Sequence, residues 1–93
     1  FNVYPKEIEL VLDQLPGVVE SAVIGCPHPD FGEAVVAVIA GTGSEADVIA
    51  ACREQLAAFK TPKRVFFVQD LPRNVMGKVQ KNVLRQTYQR AFA

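Results

Sequence analysis

The stretch that decides the fold is AVVAVIA at residues 34–40, which is apolar at every position. A short unbroken apolar run, rich in β-branched residues, is typical of a strand that is buried on both faces of a sheet. The sequence Gly-Thr-Gly at residues 41–43 ends the run. We therefore predict a central strand here, with the rest of the chain packed around it.

Two further strands are predicted beside the central one. Residues 18–26 are rich in valine and isoleucine, and residues 64–69 contain the run VFFV. Both compositions favour extended structure. The connection between the first two strands, residues 27–33, is short, which favours an antiparallel pair.

Helices are predicted between and after the strands. The first begins at Pro5 and carries apolar residues at helical spacing, with Glu7 and Glu9 favouring the positive end of its dipole. The second follows Ser44 as its N-cap and extends its apolar side as far as Phe59. The third is expected over residues 80–91. Its predicted buried positions are Val83, Leu84, Thr87 and Tyr88, and its predicted exposed positions are Lys81, Arg85 and Gln89.

These elements predict an α+β fold: a small three-stranded sheet covered by helices, in the order α-β-β-α-β-loop/hairpin-α. The loop before the last helix, residues 70–79, is rich in turn residues and is expected to contain a tight reversal or a small hairpin.

Length limits what the chain does alone. Its 93 residues suit one domain. They are too few to enclose two or three substrates, since one drug-sized pocket already takes about 300–1,000 Å³. The chain also begins at Phe1 instead of methionine. We therefore expect residues 1–93 to be a fragment of a longer protein, and, if that protein is an enzyme, only one part of it. No apolar run approaches the ~20 residues of a membrane span, so no membrane partner is expected.

The net charge of zero is a balance between two unlike parts. Residues 1–60 carry three basic and nine acidic residues, whereas residues 61–93 carry seven basic residues and one acidic residue. A basic last third indicates either anionic ligands or a solvated helix face. A small nucleic-acid-binding module is one alternative, although aromatic residues are not interleaved with the basic ones as single-strand binding requires.

The cysteines do not suggest a metal site. Cys26 and Cys52 are far apart in sequence, and the chain has a single histidine. A zinc site needs closely spaced ligands, so none is expected in this domain. We interpret both as reduced structural thiols, which favours a cytoplasmic location.

The most specific candidate site is LPRNVMGKVQK at residues 71–81. Gly77 permits a sharp turn that places Lys78 at a loop tip. A lysine is a compact charge on a flexible stem, which suits a phosphate whose charge changes during reaction. Lys78 is therefore the candidate catalytic residue, with Met76 and Gly77 as its supporting loop. From these residues alone, a purely structural surface lysine remains the alternative.

Four blocks of the sequence carry a family resemblance. They are FNVYPKEIE at residues 1–9, PHPDFGE at 27–33, FKTPK at 59–63 and LPRNVMGK at 71–78. In this order they resemble the small C-terminal domain of acyl-CoA synthetases, which belong to the AMP-forming adenylating superfamily. The resemblance covers essentially the whole chain. The last block, extended to residue 85, is most similar to the malonyl-CoA synthetase branch.

The resemblance implies a two-step reaction. A carboxylate, here malonate, attacks the α-phosphate of Mg-ATP to give an acyl-adenylate, and the thiol of coenzyme A then displaces AMP. In the first step, the residue matching Lys78 contacts carboxylate and phosphate oxygens. In the second step the domain rotates, and Phe59, Lys60, Lys63 and Arg64 are expected near the CoA nucleotide. Phe59 would stack on adenine, although the apolar side of the second helix is an alternative place for it.

The resemblance also implies partners. The hinge, the ATP site and the acid pocket belong to a large N-terminal domain. ATP, Mg²⁺ and CoA are therefore bound mainly with that domain, and residues 1–93 alone are expected to be inactive. Fatty acid metabolism is the expected setting. A protein lysine acyltransferase acting on Lys78 is a further expected partner, because acylation removes the charge. Within the same superfamily, an adenylation domain that loads a carrier protein is the alternative.

Overall fold

The computed structural model describes residues 3–93, so Phe1 and Asn2 of the first resembling block lie outside the described residues. In chain order the elements are α1 (Pro5–Leu12), β1 (Val18–His28), β2 (Gly32–Gly41), α2 (Glu45–Gln55), a 3₁₀ turn (Ala58–Lys60), β3 (Arg64–Val68) and α3 (Lys81–Thr87). The predicted α+β class and the predicted order of elements are confirmed.

The sheet has the order β1-β2-β3, with β2 in the centre. β1 and β2 are antiparallel, and they pair from Val18↔Gly41 to His28↔Gly32. β2 and β3 are parallel, because α2 carries the chain back to the other end of the sheet. Residues 36–40 of β2 are all buried, as expected for a central strand.

Two apolar clusters cover the two faces of the sheet. Ala37 and Ile39 point to one face, where α1 and α2 pack. Val36 and Val38 point to the other, where Leu71 and Leu84 pack. This alternation follows the two-residue period of a strand. The result is a three-layer domain, with the segment after β3 covering the face opposite α1 and α2.

The two cysteines lie in different clusters. Cys52 belongs to the cluster under α1 and α2, and Cys26 belongs to the cluster under α3. Both are buried free thiols, and burial raises the pKa of each. The sheet separates them, so the prediction of two structural thiols that are not joined to each other is confirmed.

The second helix is shorter than predicted. It ends at Gln55 because Leu56 adopts an extended backbone conformation. Phe59 therefore lies in the 3₁₀ turn, 46% exposed, and does not extend the apolar side of α2. The prediction that placed Phe59 on that helix is wrong.

The last helix is also shorter, ending at Thr87, because the Tyr88 backbone leaves the helical region. Thr87 was predicted to be buried but is exposed, and its hydroxyl donates a hydrogen bond to the Val83 carbonyl at 2.9 Å. Lys81 was predicted to face solvent. It is instead half-buried, with its Nζ 2.8 Å from the Glu9 carboxylate.

Carboxylates from helices cap both outer strands. Glu9 Oε2 accepts a hydrogen bond from the Val23 backbone amide of β1 at 2.8 Å. Glu45 Oε2 accepts one from the Val65 backbone amide of β3, also at 2.8 Å. These bonds satisfy edge amides that would otherwise be open to strand pairing. Glu9 therefore does more than favour the dipole of α1, which is the role that its position in the sequence predicted.

Candidate functional site

The segment around Lys78 is a small hairpin formed by residues 73–79. Arg73 and Val79 form an antiparallel bridge, and the Asn74 backbone amide donates to the Lys78 carbonyl at 2.9 Å. The base of the hairpin is fixed because Leu71 is buried and Val79 packs against the same apolar cluster. The predicted tight reversal is therefore present, with an anchored base and an exposed tip.

Asn74 organises the tip. Its side-chain Oδ1 accepts hydrogen bonds from the backbone amides of Met76 at 2.9 Å and Lys78 at 3.0 Å. Its backbone carbonyl accepts from the Gly77 amide at 2.9 Å. An asparagine that caps its own turn in this way fixes the backbone of the following residues. The sequence prediction did not include Asn74, although an asparagine three residues before a glycine is a known turn signal.

Gly77 and Met76 contribute through the backbone. Gly77 has a φ of +84°, in the left-handed region, and a Cβ there would meet no atom within 4 Å. Glycine is thus favoured by conformation and not by lack of space. Met76 is 81% exposed, so its contribution to the loop is its amide hydrogen bond to Asn74.

Lys78 presents its side chain to solvent at this tip. Among residues 3–93, no carboxylate lies within ion-pair distance of its ammonium. A fixed backbone with an unpaired cation is well suited to meet an anion supplied from outside the domain.

Arg73 links the hairpin to the sheet. One of its terminal nitrogens donates to the Gly77 carbonyl at 2.6 Å, and the other donates to the Glu20 carboxylate on β1. Neither Arg73 nor Glu20 was among the predicted site residues. No local pattern relates them, since they are separated by 53 positions in the chain.

The four CoA-binding candidates differ in their surroundings: Lys60 and Arg64 form ion pairs within the domain, whereas Phe59 and Lys63 line a groove. Lys60 Nζ donates to Glu7 at 2.9 Å, and Arg64 Nε donates to Glu45 at 2.9 Å. Arg64 also donates to the Ala91 carbonyl at 3.3 Å, so both cations are engaged within the domain.

Phe59 and Lys63 instead line a groove of about 610 Å³ between α1, the β1–β2 turn and the 3₁₀ turn. Lys63 Nζ lies over the ring of Phe31, 4.8 Å from its centroid, and Phe31 also lines the groove. A cation over an aromatic face next to a second aromatic ring is suited to a nucleotide. The sequence prediction did not include Phe31 as a site residue.

The structure does not bring the two candidate sites together. Glu20, which anchors the Lys78 hairpin, pairs with Ala40 of β2, whereas Arg64 pairs with Val36. The β2 partners of these two residues, Ala40 and Val36, are four residues apart, which corresponds to about 13 Å along the strand. Lys78 and the groove lie toward opposite ends of the sheet.

Part of the uneven charge is paired inside the domain. Among residues 3–93, four ion pairs each join an acidic residue of the first 60 to a basic residue that follows it: Lys60–Glu7, Arg64–Glu45, Arg73–Glu20 and Lys81–Glu9. Of the seven basic residues in the last third, three are paired in this way, whereas Lys63, Lys78, Arg85 and Arg90 are exposed and have no ion-pair partner among residues 3–93. These four are compatible with both the anionic ligands and the solvated helix face that the composition indicated.

Residues 3–93 contain neither a metal-binding cluster of side chains nor a helix that could cross a membrane. No cluster of three or more His, Cys, Asp or Glu side chains there is arranged to bind a metal ion. None of the helices described has the length and apolar character needed to cross a membrane.

Comparison with known proteins identifies the relatives of the chain. The sequence profile of the AMP-binding enzyme C-terminal domain matches residues 7–78. A CoA ligase from Rhodococcus jostii, named for an indenyl-propanoyl group, is 56% identical over 90 residues, which cover 92% of this chain and 18% of that protein. The long-chain-fatty-acid–CoA ligase FadD13 of Mycobacterium tuberculosis is 44% identical over 90 residues, covering 94% and 18%.

Among solved structures, ATP-bound MatB from Rhodopseudomonas palustris matches with a TM-score of 0.97 and 61% identity, covering 100% of this chain and 19% of that chain. The chain therefore spans about a fifth of the length of these proteins.

Proposed function

The chain belongs to the AMP-binding enzyme C-terminal domain family, and from this membership we propose that it is the mobile small domain of an AMP-forming acid–CoA ligase. The family resemblance of the four sequence blocks is confirmed. The relatives are CoA ligases of the adenylate-forming superfamily, which supports the reaction class. The activity itself requires a large domain that supplies the remaining four-fifths of the enzyme.

The observation that carries the proposal is the exposed ammonium of Lys78, which has no ion-pair partner among residues 3–93, on a hydrogen-bonded hairpin tip. In adenylate formation, a carboxylate oxygen bonds to the α-phosphorus of ATP while the bond to the pyrophosphate oxygen breaks. Both reactants are anionic, so a cation placed between them stabilises the transition state more than the separated reactants. We propose that Lys78 supplies this cation, with Gly77 and Met76 shaping its loop.

The second step is proposed to use the other end of the sheet. In this step the CoA thiol loses its proton, its sulfur bonds to the acyl carbon, and the bond from that carbon to the phosphate oxygen breaks, so that AMP leaves. Lys63 and Phe59 line the open groove, whereas Lys60 and Arg64 are paired with carboxylates. The proposal therefore assigns the CoA nucleotide to Phe59 and Lys63, with Phe31 beside them, and gives Lys60 and Arg64 a supporting role.

A kinetic comparison tests the CoA assignment. In the full-length enzyme, Lys63→Ala is expected to raise the KM for CoA about tenfold, the loss of one charge-assisted contact. The matched control is Lys6→Ala, an exposed lysine of α1. If the two variants have the same KM for CoA as the wild type, the groove is not the CoA site.

We further propose that the acid is malonate. The block at residues 71–85 and the similarity to MatB over the whole chain support this choice. The relatives are named for different acids, however, while they share this domain. The acid pocket therefore belongs to the large domain, as do the hinge, Mg²⁺ and most contacts to ATP.

Assays with a panel of carboxylic acids test both the proposed ligase reaction and the choice of malonate as the acid. Full-length enzyme with ATP, Mg²⁺ and CoA is expected to release AMP, and to show its highest kcat/KM with malonate. A higher kcat/KM for a long-chain or aromatic acid would contradict malonate as the substrate, while the proposed ligase reaction would stand. ADP in place of AMP would overturn the reaction class. Residues 1–93 alone are expected to release neither.

The exposure of Lys78 also supports a regulatory partner. A protein lysine acyltransferase would find the ammonium at a protruding tip, and acylation would remove its charge. Mass spectrometry of the enzyme purified from its own cells is expected to find acylated Lys78. Lys78 found unmodified under all growth conditions would contradict this part. The buried free thiols support a cytoplasmic setting for the same enzyme.

A further inference from the structure

The hairpin that carries Lys78 has an anchored base and a protruding tip. Leu71 and Val79 fix the base in the apolar cluster under α3, whereas Val75 and Met76 at the tip are almost fully exposed. Packing therefore leaves the inclination of the tip relative to the sheet largely unspecified. A polar link is needed if the tip is to keep one direction.

The Arg73 side chain provides such a link. It donates one hydrogen bond to the Gly77 carbonyl, next to Lys78, and another to the Glu20 carboxylate on β1. Within the described part of the chain, this is the one side-chain hydrogen bond or ion pair that joins residues 73–78 to the sheet. The planar fork of arginine offers a separate terminal nitrogen to each acceptor in a fixed geometry, whereas lysine offers a single nitrogen on a flexible stem.

The link contributes little to folding. Both side chains are about one-third or more exposed, and ion pairs in contact with solvent stabilise folded proteins only weakly. Its effect is geometric instead, because it fixes the carbonyl that precedes Lys78 with respect to a strand. A displacement of about 1 Å at a reacting centre costs up to roughly 100-fold in rate.

We propose that Arg73 and Glu20 are positioning residues, which set the direction of the hairpin so that Lys78 meets the reacting carboxylate and α-phosphate. This inference rests on the proposed role of Lys78 in adenylate formation. Neither residue touches the reactants. They act through the Gly77 carbonyl and the backbone of Lys78.

The two half-reactions of the full-length enzyme test this inference. Arg73→Ala and Glu20→Gln are each expected to slow adenylate formation from acid and ATP about 10- to 30-fold. Transfer of a presynthesised acyl-adenylate to CoA is expected to change less than twofold. Arg73→Lys keeps the charge but loses the fixed fork, so its rate of adenylate formation is expected to lie between those of Arg73→Ala and the wild type.

A double variant shows whether Arg73 and Glu20 act through their mutual contact or each affect the rate independently. Because the two residues act as one unit, Glu20→Gln combined with Arg73→Ala is expected to be no slower than Arg73→Ala alone. The matched controls are Arg53→Ala and Glu54→Gln, exposed charges on α2 without an ion-pair partner among residues 3–93. Both controls are expected to keep wild-type rates.

Lys78→Ala, measured in parallel, distinguishes failure of the positioning role from failure of the proposed function. If Lys78→Ala blocks adenylate formation but the Arg73 and Glu20 variants do not slow it, the positioning role is wrong and the proposed function stands. Equal losses in both half-reactions for these variants would also overturn positioning. If Lys78→Ala leaves adenylate formation intact, the proposed role of Lys78 and this inference fall together.

Discussion

The side-chain Oδ1 of Asn74 lies 3.0 Å from the backbone nitrogen of Lys78 and accepts its hydrogen bond. The same oxygen accepts the Met76 amide at 2.9 Å. The residue proposed to act on the substrate is thus held through its backbone, while its side chain remains available. The chemistry assigned to Lys78 depends on this arrangement.

Asn74→Ala is expected to slow adenylate formation about tenfold, because the tip loses its internal acceptor and Lys78 samples more positions. Asn74→Thr keeps a side-chain oxygen that caps turns more weakly, so its loss should be smaller. The measurement is the rate of pyrophosphate release from acid and ATP. Equal rates for Asn74→Ala and the wild type would show that the cap is not needed.

Gly77 and Gly32 offer a matched pair. Both have positive φ, +84° and +75°, and a Cβ at either would meet nothing within 4 Å. Alanine at each position should therefore lower the free energy of unfolding by about 1–2 kcal/mol through the backbone alone. Only Gly77→Ala is expected to slow adenylate formation, because only that strain lies beside Lys78. A similar loss of activity in Gly32→Ala would mean that general destabilisation explains the result.

Glu45 predicts a dependence of stability on pH. The hydrogen bond from the Val65 amide, together with Arg64, lowers the pKa of Glu45 below its ordinary value of 4.5. Since the folded pKa is the lower one, the stabilisation is present above pH 4.5 and is lost as the pH falls below it. The pair is partly exposed, so its contribution at pH 7 is about 0.5–1 kcal/mol.

Unfolding of Glu45→Gln at several pH values checks this expectation. The variant should be less stable than the wild type at pH 7, and the difference should shrink in acid. Glu54→Gln, an exposed carboxylate of α2, serves as the control. A difference that stays constant with pH would contradict the assigned role of the Glu45 charge.

Local pattern was enough to predict the α+β class and the order of the elements. The apolar run at 34–40 identified the central strand, and the short turn after β1 identified the antiparallel pair. Local pattern did not predict where helices end. The extended backbone of Leu56 ends α2 before the apolar side reaches Phe59, and no proline or glycine marks that point.

The candidate site was predicted only in part, because only those of its features that depend on adjacent residues are visible in the sequence. Lys78 and Gly77 are adjacent, so their turn was visible in the sequence. The contact that orients the turn joins Arg73 to Glu20, which are 53 positions apart. Lys60 was predicted to bind CoA but forms an ion pair with Glu7, also 53 positions away. Such pairs form only when the chain has folded, and no periodicity of the sequence encodes them.

The central claim is that Lys78 stabilises adenylate formation and not acyl transfer. The most direct measurement is the rate of both half-reactions in full-length Lys78→Ala. Formation of acyl-adenylate from acid and ATP is expected to fall on the order of 10²–10³-fold, while transfer of presynthesised acyl-adenylate to CoA persists. Equal losses in the two half-reactions, or no loss in the first, would contradict the claim.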